Sequence, residues 1–220
     1  MGKKHYLCGS KSTTSMNPKP ACVIIANGDF PSHEVPLSFL ALAEFVVCCD
    51  GAANQYIARG GVPDAIVGDC DSISEENKNR YRDIIIVDKN VNTNDLTKSV
   101  EFCVRRGKTN IVILAATGKR DDHTLGNISL LVEYIRIADV QLITDYGIFT
   151  PIFSETSFES FIGQQVSIFS IDQVPIATHG LKYPLQNTVI TNWWQGTLNE
   201  SYDESFSIET KGRVIVFQAF

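Results

Sequence analysis

No CxxC pair, no Walker A loop, no GxGxxG fingerprint and no apolar run of the roughly 18 residues that a bilayer-spanning helix requires occur in this chain. Those gaps remove zinc ribbons, P-loop nucleotide sites, the dinucleotide fingerprint and transmembrane helices, leaving a soluble protein as the expectation. Positive charge is also scarce. Nineteen Lys and Arg stand against 25 Asp and Glu, a net charge of -6, so the surface lacks the basic excess that nucleic acid needs. The four histidines show no spacing that would build a Ser-His-Asp or Cys-His pattern. The six cysteines are too few and too scattered for a secreted disulfide scaffold. Several of them lie in apolar runs, as reduced core cysteines do, which points to a reducing, cytoplasmic setting.

What remains is an ordinary globular composition, 44% hydrophobic and 20% charged over 220 residues, enough for one large domain or two modest ones. Residues 1–20 contain no sustained apolar stretch and read as a mobile lead-in. From Ala21 to Asp145 the chain alternates short apolar runs with longer helix-like segments, which predicts an open, mostly parallel Rossmann-like sheet with helices on both faces. The strands fall at Cys22 to Ala26, Phe45 to Cys49, Ala65 to Val67, Ile84 to Val87, Ile111 to Ala115 and Val140 to Thr144. They are continuous rather than alternating, as strands covered on both faces should be. Helical spacing marks Leu96 to Arg106, with Gly107 as its C-cap, and Asp122 to Asp139.

After Asp145 the pattern changes. "SFIGQQVSIFSI", "TVITNWW", "SFSIET" and "RVIVFQAF" are β-prone runs separated by turn residues. The prediction is therefore an α/β domain over 21–147 followed by an all-β sandwich domain over 148–220, with the change of rhythm near Tyr146 to Pro151.

Acids recur just after the predicted strands: Asp29, Asp50, Asp69 with Asp71, Asp88 and Asp145. In open parallel sheets the carboxyl ends of the strands form the ligand crevice, so these residues share one edge. A single Asp in such a place also reads as a turn former or helix N-cap, and this fits Asp29, Asp88 and Asp145. It explains Asp69 and Asp71 less well, because paired like charges need a cation between them. Mg²⁺ suits them, since it takes oxygen ligands and often only one or two carboxylates plus substrate phosphates. Asp95 opens the helix after strand four, where Asn94 offers a cap and Lys98, one turn on, faces either solvent or a phosphate.

After strand five the sign reverses in "ATGKRDDHTLGN". Gly118, Lys119, Arg120 and the following helix start resemble an anion cradle. His123 reads either as a cap or as a general base. Cys70, between two aspartates, is a thiol whose ionised form is disfavoured.

These stretches resemble the thiamin pyrophosphokinase family. "CCDGAANQY", "GVPDAIVGDCDS", "NTNDLTKSV" and "GKRDDHTLGN" follow the order and spacing of its D-x-G-A, G-D-x-D-S, T-D-x-T-K and G-R-x-D-[HQ]…N marks. "GLKYPL" and "WWQGTLNES" resemble its C-terminal stretches more loosely. The resemblance implies Mg-dependent transfer of a diphosphoryl group from ATP to the hydroxyl of thiamin, giving AMP, in a homodimer whose C-terminal domain helps form the thiamin site. Carried over by position, it implies Asp69, Asp71 and Asp95 as metal ligands and Asp50, Asp71, Asp95 and Arg120 as catalytic residues. ATP contacts fall on Asp50, Asn94, Lys98, Lys119, Arg120, Asp122, His123 and Asn127. Thiamin contacts fall on Tyr183, Trp194 and Asn199; Trp193 is as able as Trp194 to stack on the rings, and the adjacent pair also reads as one tryptophan facing the core and the other an interface. The chain departs from the pattern at Val91, Asn92, Asn94, Lys119 and Leu198. Two other readings stand beside this one: another Mg-dependent phosphoryl or nucleotidyl transferase, and a non-catalytic nucleotide or thiamin sensor.

Overall fold

The computed structural model describes residues 22–220 and, ahead of them, the backbone of strand β1 (Ser12–Thr14). The expected mobility of 1–20 otherwise falls outside the described residues. The chain divides into two compact units, one running through Pro151 and taking in Ile215–Phe220, the other holding Ile152–Val214 together with β1.

In the first unit the elements are β2 (Cys22–Ile25), α1 (Glu34–Leu42), β3 (Val46–Cys49), α2 (Ala52–Ala58), β4 (Ala65–Gly68), α3 (Glu75–Arg80), β5 (Ile85–Val87) and α4 (Asp95–Arg105). They continue as β6 (Asn110–Leu114), α5 (Asp121–Tyr134), β7 (Asp139–Ile143) and β8 (Gly147–Ile152). Strands β7-β6-β2-β3-β4-β5 lie side by side and parallel. All six strands expected from the apolar runs are present. Every residue of β2, β3 and β4 is buried, as continuous apolar strands between helix layers require. Burying each Ile or Val of these strands contributes about 1.5–3 kcal/mol.

The helices follow their local chemistry. Asn94 caps α4 by accepting from the Thr97 amide at 2.9 Å, and Leu96, Val100, Phe102 and Cys103 form its buried face. Gly107 ends that helix at a φ of 73°. Helix α5 is shorter than its sequence pattern, ending at Tyr134 rather than Asp139.

Strand β8 runs antiparallel to β7. It occupies the segment where the sequence pattern puts the domain boundary and predicts no strand. The reason is local: Thr144 accepts and donates across a tight turn, with its amide 3.0 Å from the Gly147 carbonyl, so the chain reverses at once.

The second unit holds β9 (Thr156–Glu159), β10 (Gln165–Ser170), β11 (Pro175–His179), β12 (Thr188–Val189), β13 (Asn199–Glu200) and β14 (Ser205–Glu209). The last strand, β15 (Val214–Ala219), returns the chain to the first unit beside β8. Within the second unit one sheet has the order β1-β9-β14-β11-β12, while β10 and β13 pair antiparallel. Phe206 and Ile208 alternate inward along β14, and Phe206 stacks on Phe158 at 4.9 Å. The fold is thus an α/β half followed by a β-rich half.

"TVITNWW" does not form the continuous strand expected of it. Only Thr188–Val189 is extended, and Trp193–Gly196 is a turn of 3-10 helix. Gln195 accepts from the Thr191 and Asn192 amides, both at 2.9 Å, while Asn192 caps the turn. This reciprocal capping overrides the β preference of the two tryptophans.

Candidate active site

The parallel sheet reverses its direction of winding between β2 and β6. From β2 the chain steps outward through β3 and β4 to β5, then crosses back to place β6 and β7 on the other side of β2. A cavity of about 560 Å³ opens at that switch point, beyond the carboxyl ends of the strands. Asn27, Gly28, Asp50, Asn94, Asp95 and Lys119 are among its lining residues, as are Arg120, Asp122, His123 and Asn127.

The backbone is bent hard around it. Asp50, Cys70, Ala115 and Lys119 all take positive φ, between 38° and 66°. Such conformations cost about 1–3 kcal/mol each and gather where a site must be held in a fixed shape. Gly118 has a φ of 78° and a Cβ there would run into the Asp29 carboxylate. At the end of β4, a Cβ on Gly68 would stand 2.8 Å from Asp50 Cβ and 3.2 Å from Asp95 Cγ. Glycine at that position is what allows the acids to close in.

Asp50, Asp69 and Asp71 each offer a carboxylate oxygen within 4.8 Å of the others. Asp50 is buried and Asp69 and Asp71 are exposed. One Asp50 oxygen, Oδ2, accepts from the Ser72 amide at 3.0 Å, whereas its buried Oδ1 has no hydrogen-bond partner. Burial pushes the Asp50 carboxyl up from its ordinary value, the Ser72 amide opposes this, and the charges of Asp95 and Asp71 add to it. Asp71 is held down, chiefly by the Ser72 hydroxyl donating to it at 2.7 Å. Burial raises the Cys70 thiol, helped by Asp50 and Asp69. Its sulfur turns back to the Gly68 carbonyl at 3.7 Å.

Asp95 is next to this trio but engaged elsewhere. Its Oδ1 accepts from Lys98 Nζ at 2.9 Å, and Lys98 is only 3% exposed. Lys98 therefore does not face solvent. It stays charged despite burial because Asp95, Asp69 and Asp88 offset the desolvation.

On the opposite wall, Lys119 Nζ donates to the Asn27 carbonyl at 2.9 Å and to its side chain at 3.2 Å. Arg120 grips Asp122 through two bonds, one of them from Nε at 3.0 Å. That guanidinium holds the Asp122 carboxyl at about 2. His123 is exposed on the first turn of α5, and Asn127 donates to the Ala116 carbonyl at 2.8 Å. Asp50, Asp95 and Asp122 thus line the same cavity as Lys119 and Arg120, and Asp69 and Asp71 stand beside it through Asp50.

Asp88 and Asp145 serve the backbone, as turn formers and caps do. Asp88 accepts from the Asn90 amide at 2.9 Å, and Asp145 accepts from the Ser32 and His33 amides. In the second unit Asn199 is buried: it donates to the Tyr183 carbonyl at 2.8 Å and accepts from the Tyr183 amide at 3.1 Å and the Glu200 amide at 2.9 Å. Trp193 packs edge-on against Phe169 at 5.8 Å, while Trp194 is 70% exposed. Sequence reasoning misses Asn27, Asn54 and Ser72. Of these, Ser72 alone carries a signal, standing directly after Asp71.

The family "Thiamin pyrophosphokinase, catalytic domain" matches residues 37–143, and "Thiamin pyrophosphokinase, substrate-binding domain" matches 147–217. A thiamine pyrophosphokinase of Oryza sativa subsp. japonica is 30% identical over 217 residues, covering 80% of this chain and 81% of that protein. The chain belongs to the thiamin pyrophosphokinase family. Its activity is that of the family, thiamin pyrophosphokinase, and it is an enzyme. Solved structures agree on the fold. Thiamin pyrophosphokinase from Candida albicans superimposes with a TM-score of 0.81 at 19% identity, covering 98% of this chain and 95% of the other. The Geobacillus thermodenitrificans structure does so with a TM-score of 0.75 at 20% identity, covering 90% and 97%. No helix among the described residues is long and apolar enough to cross a membrane.

Proposed function

We propose that the cavity at the switch point holds ATP with Mg²⁺ and that Asp50, Asp69 and Asp71 hold the ion. The observation that carries this reading is the buried, unpartnered Oδ1 of Asp50 inside a group of three carboxylates. An orphaned buried acceptor is costly, and three converging anionic oxygens suit a hard divalent cation. Bound there, Mg²⁺ would neutralise charge on the phosphate oxygens during transfer. The Asp95–Lys98 pair flanks the ion, where the sequence pattern makes Asp95 a ligand.

The remaining work falls to the chain's own groups. Lys119, Arg120 and the start of α5 receive the phosphates, with Asn94, Asp122, His123 and Asn127 around them. A carboxylate of the acidic edge takes the proton of the attacking hydroxyl. Thiamin, cationic and aromatic, falls to the second unit, where Tyr183 and Trp194 present open rings. Asn199 sets the Tyr183 backbone, bonding both its carbonyl and its amide. The family division supports this split, its substrate-binding part covering 147–217. The described cysteines are all free, four of them buried, which supports a reducing, cytoplasmic setting.

A coupled AMP-release assay with thiamin and ATP tests the reading. AMP should appear only when a divalent metal is present and should vanish on chelation; ADP as product, or turnover undiminished by chelator, would sink it. We further propose a homodimer. Tyr183, Trp194, Leu198 and Tyr202, between 59% and 80% exposed, are large apolar side chains available for it. Activity per chain should fall on dilution through the dissociation range, and a fully active monomer would remove the shared site.

A further inference from the structure

Helix α2 begins two residues after Asp50, and its first turn also carries Asn54. Asn54 Nδ2 donates to the Ser72 carbonyl at 2.9 Å. Its Oδ1 accepts from the Ser74 amide at 3.0 Å and from Asn77 Nδ2 at 2.9 Å. Four residues earlier, Asp50 Oδ2 accepts from the Ser72 amide at 3.0 Å. Both sides of the Ser72 backbone are therefore gripped from the start of one helix. Ser72 in turn donates its hydroxyl to Asp71 at 2.7 Å. A Cβ on Gly51 would come within 2.9 Å of Ser72 Cβ, so loop and helix also meet by direct packing.

We infer that Asn54 is a positioning residue for the acidic loop: it fixes Ser72 so that Asp71 stands at a set distance from Asp50 before any ion arrives. The inference rests on the proposed cation site. Three like charges within 4.8 Å repel one another. Asp69 and Asp71 lie on an exposed loop that passes through a positive φ at Cys70. Without an anchor that loop relaxes outward, and the cation must then bring it back at the cost of binding energy. Asn54 supplies three bonds to the segment 72–77 from a half-buried position on a regular helix. It is absent from the cavity lining, and its side-chain bonds go to Ser72, Ser74 and Asn77. Groups that orient ligands in this way commonly change metal affinity by about 10- to 100-fold.

The test is a Mn²⁺ titration of the full chain without nucleotide, followed by calorimetry or electron paramagnetic resonance, on wild type, Asn54→Ala, Asn54→Asp, Asn77→Ala and Asp71→Asn, with thermal melts of each. Asn54→Ala should weaken Mn²⁺ binding by about ten-fold or more, and raise the Mg²⁺ needed for half-maximal AMP release in step, with kcat at saturating Mg²⁺ far less affected. Asn77→Ala breaks one bond of Asn54 but leaves its hold on Ser72, so it should titrate as wild type. Asn54→Asp keeps the acceptor for Ser74 and Asn77 but sets an oxygen against the Ser72 carbonyl. Its added negative charge alone would tighten cation binding, so weaker binding by this variant isolates the lost grip and serves if Asn54→Ala does not fold. Mn²⁺ binding as tight as wild type in the folded Asn54 variants would overturn the inference. If Asp71→Asn also bound Mn²⁺ undiminished, the cation site itself would fall, which separates the two failures.

Discussion

Asp71→Asn will reduce kcat on the order of 10³-fold, the loss seen when a group that stabilises transition-state charge is removed, and will leave Tm close to that of wild type. The side chain is exposed, and the amide has nearly the same shape and volume. Asn Oδ1 can still accept from the Ser72 hydroxyl, which now lies 2.7 Å from Asp71. What disappears is charge. Asp71 is one of three acids whose oxygens converge, and it is held ionised by Ser72. Its neighbour Asp50 is pushed upward partly by Asp71, so the neutral variant should let the buried Asp50 carboxyl ionise more readily. A Tm unchanged or slightly raised, with turnover lost, is the signature of a group kept for chemistry against its own neighbours. Steady-state AMP release and a thermal melt measure both. An active Asp71→Asn enzyme would defeat the assignment of Asp71 to the cation.

How far such a site can be read from residues alone depends on which force shaped each part. The six parallel strands are legible because burial on both faces writes itself as continuous apolar runs, such as Val23 to Ile25 and Ile111 to Leu114. Asp69 and Asp71 are legible because two like charges at a strand exit lack a packing reason. Asp50 joins them only in space. The register that sets Cys49 opposite Val67 brings the ends of β3 and β4 together, and the Asp50 amide then bonds the Val67 carbonyl at 3.0 Å. Asp95, expected to bind the metal, is paired through Oδ1 with a buried lysine three residues on, a pairing decided by how deeply α4 packs. Asn54 carries no signal, since every partner it holds lies in another segment. In the β-rich half, short-range capping by Asn192 and Gln195 decides the shape of the tryptophan segment, and β propensity misjudges it.

Arg120→Gln should lower kcat/KM by about 10²- to 10³-fold, the range for removing one charged donor from a developing anion. Arg120 precedes the first residue of α5, at the mouth of the cavity, and its guanidinium is solvent-facing and clamped to Asp122. The pair keeps Asp122 charged at any pH near neutral, since its carboxyl is held at about 2 by Arg120. Asp122 thus aims the planar fork before nucleotide binds, and the fork can exchange one oxyanion partner for another without leaving its place. Two further variants separate aim from charge. Arg120→Lys keeps the charge but loses the fork and should recover only part of the rate. Asp122→Asn keeps the arginine but frees it to wander, so KM for ATP should rise while Tm stays put. The surface pair contributes little to stability. Arg120→Gln turning over like wild type would mean that the phosphates lie elsewhere in the cavity, with Lys119 the next residue to replace.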